Sequence, residues 1–359
     1  MKKEAEIVIL GGGIMGATIA YNLAKRGKEV VVIEKDEFCG GTSGTSAALL
    51  WIQDKQPEHY LKMAIDSIKA YDTFEEELGS KIEYKRTGAI ELLRNEKEFS
   101  WGMRLAEAQN KAGYDVTHLS PEETVKKEPI VNPQVLGSLY SKLDGQVNPF
   151  LLVNAFLKAA KRSGAEVYTF TEVKDFSVKG SVIKEVITNK GKIKPKIVVC
   201  AAGIYSKAIA KLLGIKVPIH PERGFFLVTE RMPPVLNHVV TGARQDASGN
   251  ILLGLIQDPT AEIDRKMYIY GMRLAAKDAF RDFPGIRGVN VIRSFTGIRC
   301  LPDDMLPILG PTRKISNFWI AVTHHAFTMC GSLGPMAAEL ICGERDTKSI
   351  PYYAYDRFL

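Results

Sequence analysis

The chain has 359 residues, of which 45% are hydrophobic and 25% are charged, and its formal net charge is +7. This composition is ordinary for a globular protein, and the length allows a sizeable core and two domains. Because the lysines and arginines form no stripe interleaved with aromatic residues, we expect no nucleic-acid partner.

The five cysteines are odd in number and form no C-x-x-C pair, which predicts a cytoplasmic protein without disulfides or a zinc site. The six histidines show no metal-ligand spacing. Two uncharged stretches, 7–24 and 315–338, contain glycines or polar residues, so we expect buried strand–turn–helix units and no membrane span. Met1-Lys2-Lys3 leads directly into a strand, and we expect no signal peptide.

The start of the chain predicts a βαβ unit that binds a dinucleotide. An apolar strand at 7–10 is followed by a G-x-G-x-x-G turn, a helix at 17–26 and a buried strand at 30–33. Glu34 ends the unit, 21 residues after Gly13, close to the spacing of such a fingerprint. The contacts expected from this unit are Gly11, Gly13, Gly16 and Glu34.

Each residue type in this unit has a physical role. The glycines allow a tight turn and a close approach of the backbone to a pyrophosphate, and the helix N-terminus offers N–H groups and a partial positive charge. Glu34 can accept hydrogen bonds from the adenosine ribose, and its charge would repel a 2′-phosphate, which disfavours NADP. The motif does not separate FAD from NAD, and the same glycines could serve packing alone.

The next part of the chain alternates helices with short strands. Residues 38–48 form a run of small and hydroxyl side chains that could bind a phosphate or a ring edge. A long amphipathic helix is predicted at 58–78, strands around a turn at 82–93, and a helix at 95–113. Ser120 begins a capping box with proline at the first helical position.

The second half predicts antiparallel strands between two turn-to-helix units. A strand at 197–200 ends on Ala201-Ala202-Gly203, and alternating strands follow at 225–229 and 251–255 before a helix at 274–283. A buried strand at 318–322 then precedes a glycine-rich turn at 324–334 and a helix at 336–342. The two turn-to-helix units suggest a ligand held from both ends of the chain.

These segments, in this order, resemble the D-amino-acid-oxidase-like flavoproteins. The resemblance is greatest to the glycine oxidase and sarcosine oxidase branch, which includes the β subunits of sarcosine, proline, hydroxyproline and opine dehydrogenases. Besides the glycine fingerprint, the matching segments are Glu34-Lys35, Gly41-Thr42-Ser43, Thr87-Gly88, 144–149, Ala201-Ala202-Gly203, Arg223-Gly224, 249–254, Gly297-Ile298-Arg299, 306–310, 325–335 and Arg357-Phe358.

The resemblance implies an α/β fold in two domains. A Rossmann-like FAD-binding domain with a central parallel sheet is expected at 1–80, 144–215 and 291–359. A smaller substrate-binding domain with a largely antiparallel sheet is expected at 81–143 and 216–290. The FAD contacts so implied are Gly11, Gly13, Ile14, Met15, Gly16, Glu34, Lys35, Thr42, Ser43, Ser46, Ala47, Val173, Ala202, Gly203, Arg299, Thr328, Met329 and Gly331.

The implied reaction is oxidation of the C–N bond of a small amino or imino acid by hydride transfer to flavin. Arg299 is the expected partner of the substrate carboxylate because its fork binds bidentately. Tyr268, Tyr270 and His324 are further expected substrate contacts, and His325 is expected to handle a proton. A structural ion pair at Arg299, core positions for the tyrosines and a turn-shaping hydrogen bond at His325 are the alternatives.

Two departures from the family pattern bear on the cofactor and the electron acceptor. Cys300 stands where family members often have proline, and it leaves open a covalent link to flavin. Leu252 and Leu253 occupy the strand where sarcosine oxidases carry an oxygen-activating lysine, which favours a dehydrogenase. Such an enzyme needs a partner subunit or a diffusible electron acceptor. The alternatives are an oxidase that makes hydrogen peroxide and a flavin-binding assembly subunit without amine chemistry.

Overall fold

The computed structural model describes residues 1–259 and 262–359. In this part of the chain the helices are α1 (Ile14–Ala24), α2 (Glu58–Lys69), α3 (Tyr71–Glu77), α4 (Glu96–Lys111), α5 (Pro121–Lys127), α6 (Pro149–Arg162), α7 (Ser206–Lys211), α8 (Ile269–Asp282) and α9 (Ala326–Ile341). The strands of the first half are β1 (Glu4–Leu10), β2 (Val30–Ile33), β3 (Leu49–Leu50), β4 (Ala89–Leu93), β5 (Val116–Leu119), β6 (Gly137–Ser141), β7 (Gly145–Gln146) and β8 (Glu166–Tyr168). Those of the second half are β9 (Val173–Lys179), β10 (Val182–Thr188), β11 (Gly191–Cys200), β12 (Ile219–Arg231), β13 (Val239–Val240), β14 (Ala243–Gln245), β15 (Asn250–Asp258), β16 (Val291–Pro302), β17 (Ile308–Pro311) and β18 (Phe318–Val322).

The first large sheet carries the glycine-rich turn at one edge. Its strand order is β17-β18-β11-β1-β2-β8, with β10 and β9 attached to β11 as an antiparallel extension. Strands β18, β11, β1, β2 and β8 run parallel, so their carboxyl ends meet at the same edge. Leu10 is aligned there with Ile33 on one side and Cys200 on the other.

Apolar side chains cover both faces of this sheet. In β1 the alternate residues Ile7 and Ile9 face the core formed with α1, α6 and α9, whereas Val8 and Leu10 face the core formed with the β9–β11 hairpins. A strand buried on both faces is nearly continuously hydrophobic, as β1 and β2 are.

The second large sheet has the order β16-β12-β15-β14-β13-β4-β6-β5. Its neighbours are antiparallel except for the parallel pair β13 and β4. One face of the sheet packs on α8 through side chains such as Ile90, Leu92 and Leu253. The predicted α/β class, with a largely antiparallel second sheet, is confirmed. The predicted domain boundaries stay a proposal; β16, placed by prediction with the FAD-binding segments, pairs with β12.

Two helix predictions differ from the structure. The helix predicted at 58–78 is divided into α2 and α3 at Ala70. The glycine-rich turn predicted at 324–334 is mostly helix, because α9 begins at Ala326 and includes Pro335. An added Cβ on Gly331 would lie 2.4 Å from the Ser67 carbonyl, and one on Gly334 would lie 2.1 Å from Thr18 Oγ1. These glycines serve close helix packing, which outweighs their low helix propensity.

No helix in 1–259 or 262–359 is both long enough and apolar enough to cross a membrane.

Candidate active site

A cavity of about 970 Å³ lies between the carboxyl edge of the first sheet and the inner face of the second. The first sheet contributes the glycine turn after β1, the residues after β2 and β11, and the segment from Ala321 to Phe327. The second sheet contributes Glu91, Phe226 and Arg299. The chain thus brings its two ends and its middle together around one space.

The glycine turn forms a cradle at the start of α1. Gly11 has φ +113°, and an added Cβ there would lie 2.6 Å from the Ala201 carbonyl oxygen. An added Cβ on Gly13 would lie 2.9 Å from Ser43 Oγ. The Ile14 N–H donates to that hydroxyl at 3.0 Å, so the 42–45 turn is held against the helix N-terminus. Backbone and hydroxyl groups therefore converge where a diphosphate needs donors.

Glu34 both supports the turn and lies on the cavity wall. Its Oε2 accepts a hydrogen bond from the Gly12 N–H at 2.7 Å, and its Oε1 accepts one from the Asp36 N–H at 3.0 Å. A carboxylate has about four lone-pair sites, so acceptor capacity remains for ribose hydroxyls.

Beyond Glu34 the cavity wall combines apolar side chains and an aromatic ring with the charged residues Lys35, Glu172 and Lys174. Lys35 Nζ lies 3.5 Å from the centroid of the Tyr205 ring, and Val173 of β9 lines the same cavity. Leu212 and Ile209, from the segment after β11, also line it. This end of the cavity suits a planar ring such as adenine.

The segment of small and hydroxyl residues at 38–48 links the two sheets through contacts with β16. Thr42 Oγ1 donates to the Ile298 carbonyl of β16 at 2.7 Å. An added Cβ on Gly297 would lie 2.6 Å from the Thr45 carbonyl oxygen, so a larger residue would separate these backbones. Thr42, Ser43, Ser46 and Ala47 line the cavity beside Ala202 and Gly203, as do Ile14 and Met15 from α1.

Arg299 reaches the cavity from β16 with its charge already partnered. The antiparallel register puts it opposite Glu222 of β12, and its Nη1 contacts that carboxylate. Its Nε–H donates to His324 Nε2 at 2.9 Å, so the remaining ring proton of a neutral His324 is on Nδ1. Burial lowers the pKa of Arg299, and the Glu222 charge opposes that shift. Burial also lowers the pKa of His324 well below its usual value.

His325 stands beside a buried lysine that the sequence analysis did not single out. His325 has φ 56° and is the N-cap of α9. Its Nδ1 lies 3.0 Å from Lys55 Nζ, and its Nε2 lies 3.7 Å from Asp54 Oδ2. Burial lowers the pKa of His325 well below its usual value, so the ring is neutral at pH 7. The Lys55 side chain is only 2% exposed and contacts Asp54, and burial lowers its pKa as well.

Two tyrosines that were expected to contact the substrate lie away from the described cavity lining. Tyr268 and Tyr270 lie at the start of α8 and not on a strand, and neither is among the described residues lining the cavity. The Tyr268 hydroxyl donates to Asp264 at 2.6 Å, and the Tyr270 hydroxyl donates to Asp258. Both rings surround the buried Arg223, which explains why they turn to this ion pair instead of the cavity.

Four predicted FAD contacts also lie outside the described cavity lining, and they pack behind it. An added Cβ on Gly16 would lie 1.9 Å from the Gly11 carbonyl oxygen, and Met329 is fully buried in the core. Thr328 Oγ1 accepts a hydrogen bond from the Trp51 N–H at 3.1 Å, and Gly331 packs on α2. Because α9 begins earlier than predicted, Ala326 and Phe327 line the cavity in their place.

Other cavity residues were not anticipated. Asp54, Glu91, Trp101 and Tyr205 all line the space, and Lys55 lies behind His325. A single charged residue in a loop or strand belongs to no spaced motif, so the sequence pattern does not indicate that it lines a site. Glu91 is the only charged residue in the otherwise apolar segment from Ala89 to Leu93, and this position was one weak indication that it belongs to a site.

Comparisons with known proteins agree with this architecture. The profile of the DAO family, described as FAD dependent oxidoreductase, matches residues 6–340. The crystal structure of L-proline dehydrogenase from P. horikoshii is similar with a TM-score of 0.92 and 30% identity, covering 100% of this chain and 98% of that one. A subunit of the opine oxidase of Rhizobium meliloti is 26% identical over 374 residues, covering 99% of this chain and 98% of the relative. Glycine oxidase of Bacillus subtilis is 26% identical over 353 residues, covering 95% and 94%.

The residues present fit FAD. The cradle at Gly13 is a space that a Cβ would fill, the α1 N-terminus faces it, and Glu34 keeps acceptor capacity beyond the turn. Cys300 also lies on the cavity wall, and burial raises the pKa of its thiol to about 12, which keeps it protonated. Because the family profile matches nearly the whole chain and the cavity suits the cofactor, the protein belongs to the DAO family of FAD-dependent oxidoreductases, with FAD as its cofactor.

Proposed function

We propose that the protein oxidises the C–N bond of a small amino or imino acid of the glycine, sarcosine, proline or hydroxyproline type. The observation that carries the proposal is a guanidinium, Arg299, on the wall of the same cavity as the dinucleotide cradle. An arginine there supplies the planar fork that a substrate carboxylate needs. Relatives named for proline, opines and glycine support the substrate class.

Residues of the first sheet would hold the cofactor. Gly11 and Gly13 would approach the pyrophosphate, Glu34 the ribose and Val173 the adenine. Thr42, Ser43, Ser46 and Ala47, with Gly203 opposite, would line the remaining length toward the flavin. When bound, FAD accepts a hydride from the carbon next to the substrate nitrogen.

The chain's own residues would orient the substrate and hold protons. Arg299 would bind the carboxylate with N–H groups that its contact with Glu222 leaves free, because a guanidinium has five donors. His324 would fix the guanidinium by accepting its Nε–H. His325 is neutral at pH 7, and Lys55 would fix the orientation of its ring by donating to Nδ1, which leaves the ring proton on Nε2. We propose that His325 handles a proton through this Nε2–H group.

We further propose that the protein acts as a dehydrogenase, as the catalytic β subunit of a hetero-oligomer. The opine oxidase relative, which matches over nearly the whole length of both chains, is by its name one component of an assembly. Leu252 and Leu253 lie on β15, the strand where the resemblance to sarcosine oxidases would place a lysine. A cytoplasmic location stays a prediction from the cysteine content.

The dehydrogenase and oxidase alternatives differ in their electron acceptor. With FAD-loaded protein and an amine from the panel of glycine, sarcosine, both proline enantiomers, hydroxyproline and opines, we expect reduction of an artificial dye under nitrogen. In air without dye, we expect little hydrogen peroxide. Peroxide formed at the rate of dye reduction would establish the oxidase instead. If no amine of the panel leads to reduction of the dye, the result would support the alternative of an assembly subunit without amine chemistry.

A further inference from the structure

A carboxylate stands on the inner wall of the second sheet where an apolar residue is expected. In β4, Ile90 and Leu92 face the core under α8, whereas Leu93 belongs to the core shared with the first sheet. Alternation puts Glu91 on the same face as Leu93, toward the interior. Glu91 lines the cavity and is partly buried, while the other four residues of β4 are buried. A carboxylate in such a position costs stability unless a partner compensates its charge.

The protein does not supply that partner in the part of the chain that the structure describes. Arg299 contacts Glu222, and Lys55 contacts Asp54. Arg94, at the end of β4, is held by Asp282 and Glu98. No salt bridge joins Glu91 to a described cation, and the Thr241 side chain on the adjoining strand segment, which hydrogen-bonds to Glu91, is neutral. Glu91 is therefore a carboxylate that faces the cavity without a counter-charge in contact.

Aromatic rings lie on the same wall. Helix α4 packs on the inner face of β4, since an added Cβ on Gly102 would lie 2.7 Å from Leu93 Cδ2. The neighbouring Trp101 lines the cavity although it is 41% exposed, and Phe226 of β12 lines it as well. A carboxylate and aromatic rings that line one cavity form an environment suited to an ammonium group.

We infer that Glu91 is the centre of a subsite that binds a protonated amine of the substrate. The inference rests on the proposed function, because it assigns a second polar contact to the same ligand whose carboxylate Arg299 would hold. The ammonium is either that of the reacting nitrogen, which releases its proton to water before the hydride leaves, or a second one at the far end of a longer substrate. The opposite charges of Arg299 and Glu91 on one cavity match the two charges of a zwitterionic amino acid.

The protonation of Glu91 gives the subsite a dependence on pH. Burial, together with the smaller effects of the Asp54 and Glu98 charges, raises the pKa of Glu91 to about 7, although the Arg94 charge and the hydrogen bond with Thr241 oppose this shift. The carboxylate is thus ionised above about pH 7 and neutral below it. Ammonium binding should strengthen as the pH rises through this range, and this step should be absent in Glu91→Gln.

The test uses two pairs of isosteric ligands that differ only in charge. Trimethylammonioacetate is compared with 3,3-dimethylbutanoate, and 4-(trimethylammonio)butanoate with 5,5-dimethylhexanoate. The two cationic compounds cannot be oxidised, because their quaternary nitrogens have no lone pair. The two carbon analogues contain no nitrogen to oxidise. Dissociation constants are measured from the change that each compound causes in the visible spectrum of the FAD-loaded protein.

We expect the wild-type protein to prefer the cation in one of the pairs by about 10-fold. Glu91→Gln, which keeps the shape of the side chain, should abolish that preference, and Glu107→Gln, which removes an exposed charge on the outer part of α4, should keep it. If Glu91→Gln loses the preference for the cation in the acetate pair, Glu91 binds the reacting nitrogen. If it loses that preference in the butanoate pair, Glu91 binds a distal ammonium group. A wild-type protein without any preference, or a preference unchanged in Glu91→Gln, would overturn the inference. Neither outcome affects the proposed oxidation, which is judged by flavin reduction with the amine panel.

Discussion

Replacing Gly16 with alanine is expected to weaken the binding of FAD strongly. The added Cβ would lie 1.9 Å from the Gly11 carbonyl oxygen and 3.4 Å from Ile9 Cγ2. The first of these atoms is backbone, so the turn must move away from α1, and the cradle moves with it. Overpacking of this kind costs about 3 kcal/mol, which corresponds to roughly 100-fold weaker FAD binding. The measurement is titration of the apoprotein with FAD.

A second glycine in the same βαβ unit separates loss of the site from loss of stability. Gly27 has φ +74°, but an added Cβ there meets nothing within 4 Å. Gly27→Ala should therefore cost about 1 kcal/mol of folding free energy through backbone strain and leave FAD affinity unchanged. Wild-type affinity in Gly16→Ala would show that the cofactor does not depend on this turn.

Replacing Arg299 with alanine is expected to leave FAD bound and to remove most of the activity on amino acids. Removing a bidentate, partly buried guanidinium from the substrate carboxylate should reduce the stabilisation of the transition state by about 3 to 4 kcal/mol. The value of kcat/KM should therefore fall about 100- to 1,000-fold. Arg299→Lys should recover part of this loss, because it restores the charge without the fork.

The matched measurement for Arg299 compares substrates that have a carboxylate with substrates that lack one. For an amino acid and its decarboxylated amine, such as proline and pyrrolidine, Arg299→Ala should lower kcat/KM for the acid only. If the role of Arg299 is only to pair with Glu222, the variant should affect both substrates alike, since the loss would come from the unpaired Glu222. An equal loss for both would therefore remove Arg299 as the carboxylate partner.

The sequence predicted the parts of the fold that depend on local pattern. The glycine fingerprint, the buried runs of β1 and β2 and Glu34 are close in sequence, and their periodicity determines the βαβ unit directly. The strand ending at Cys200 and the fold class followed from the same reasoning and from the resemblance to a known family.

What the sequence did not predict depends on contacts between distant segments. Lys55 is 270 residues from His325, and no spacing rule connects a loop lysine to the N-cap of a late helix. Residues 324–334 contain glycines that indicate a turn, but packing against Ser67 and Thr18 makes most of this segment helical. Tyr268 and Tyr270 have the alternation of a strand, and the buried Arg223 holds them at the start of a helix instead.

We propose that the protein holds FAD in this cavity and oxidises an amino or imino acid there. The most direct measurement is the visible spectrum of the purified, FAD-loaded protein under anaerobic conditions, before and after each amine of the panel is added. We predict a flavin spectrum that one of these amines bleaches. A protein that takes up no FAD, or whose flavin stays oxidised with every amine, would contradict the claim.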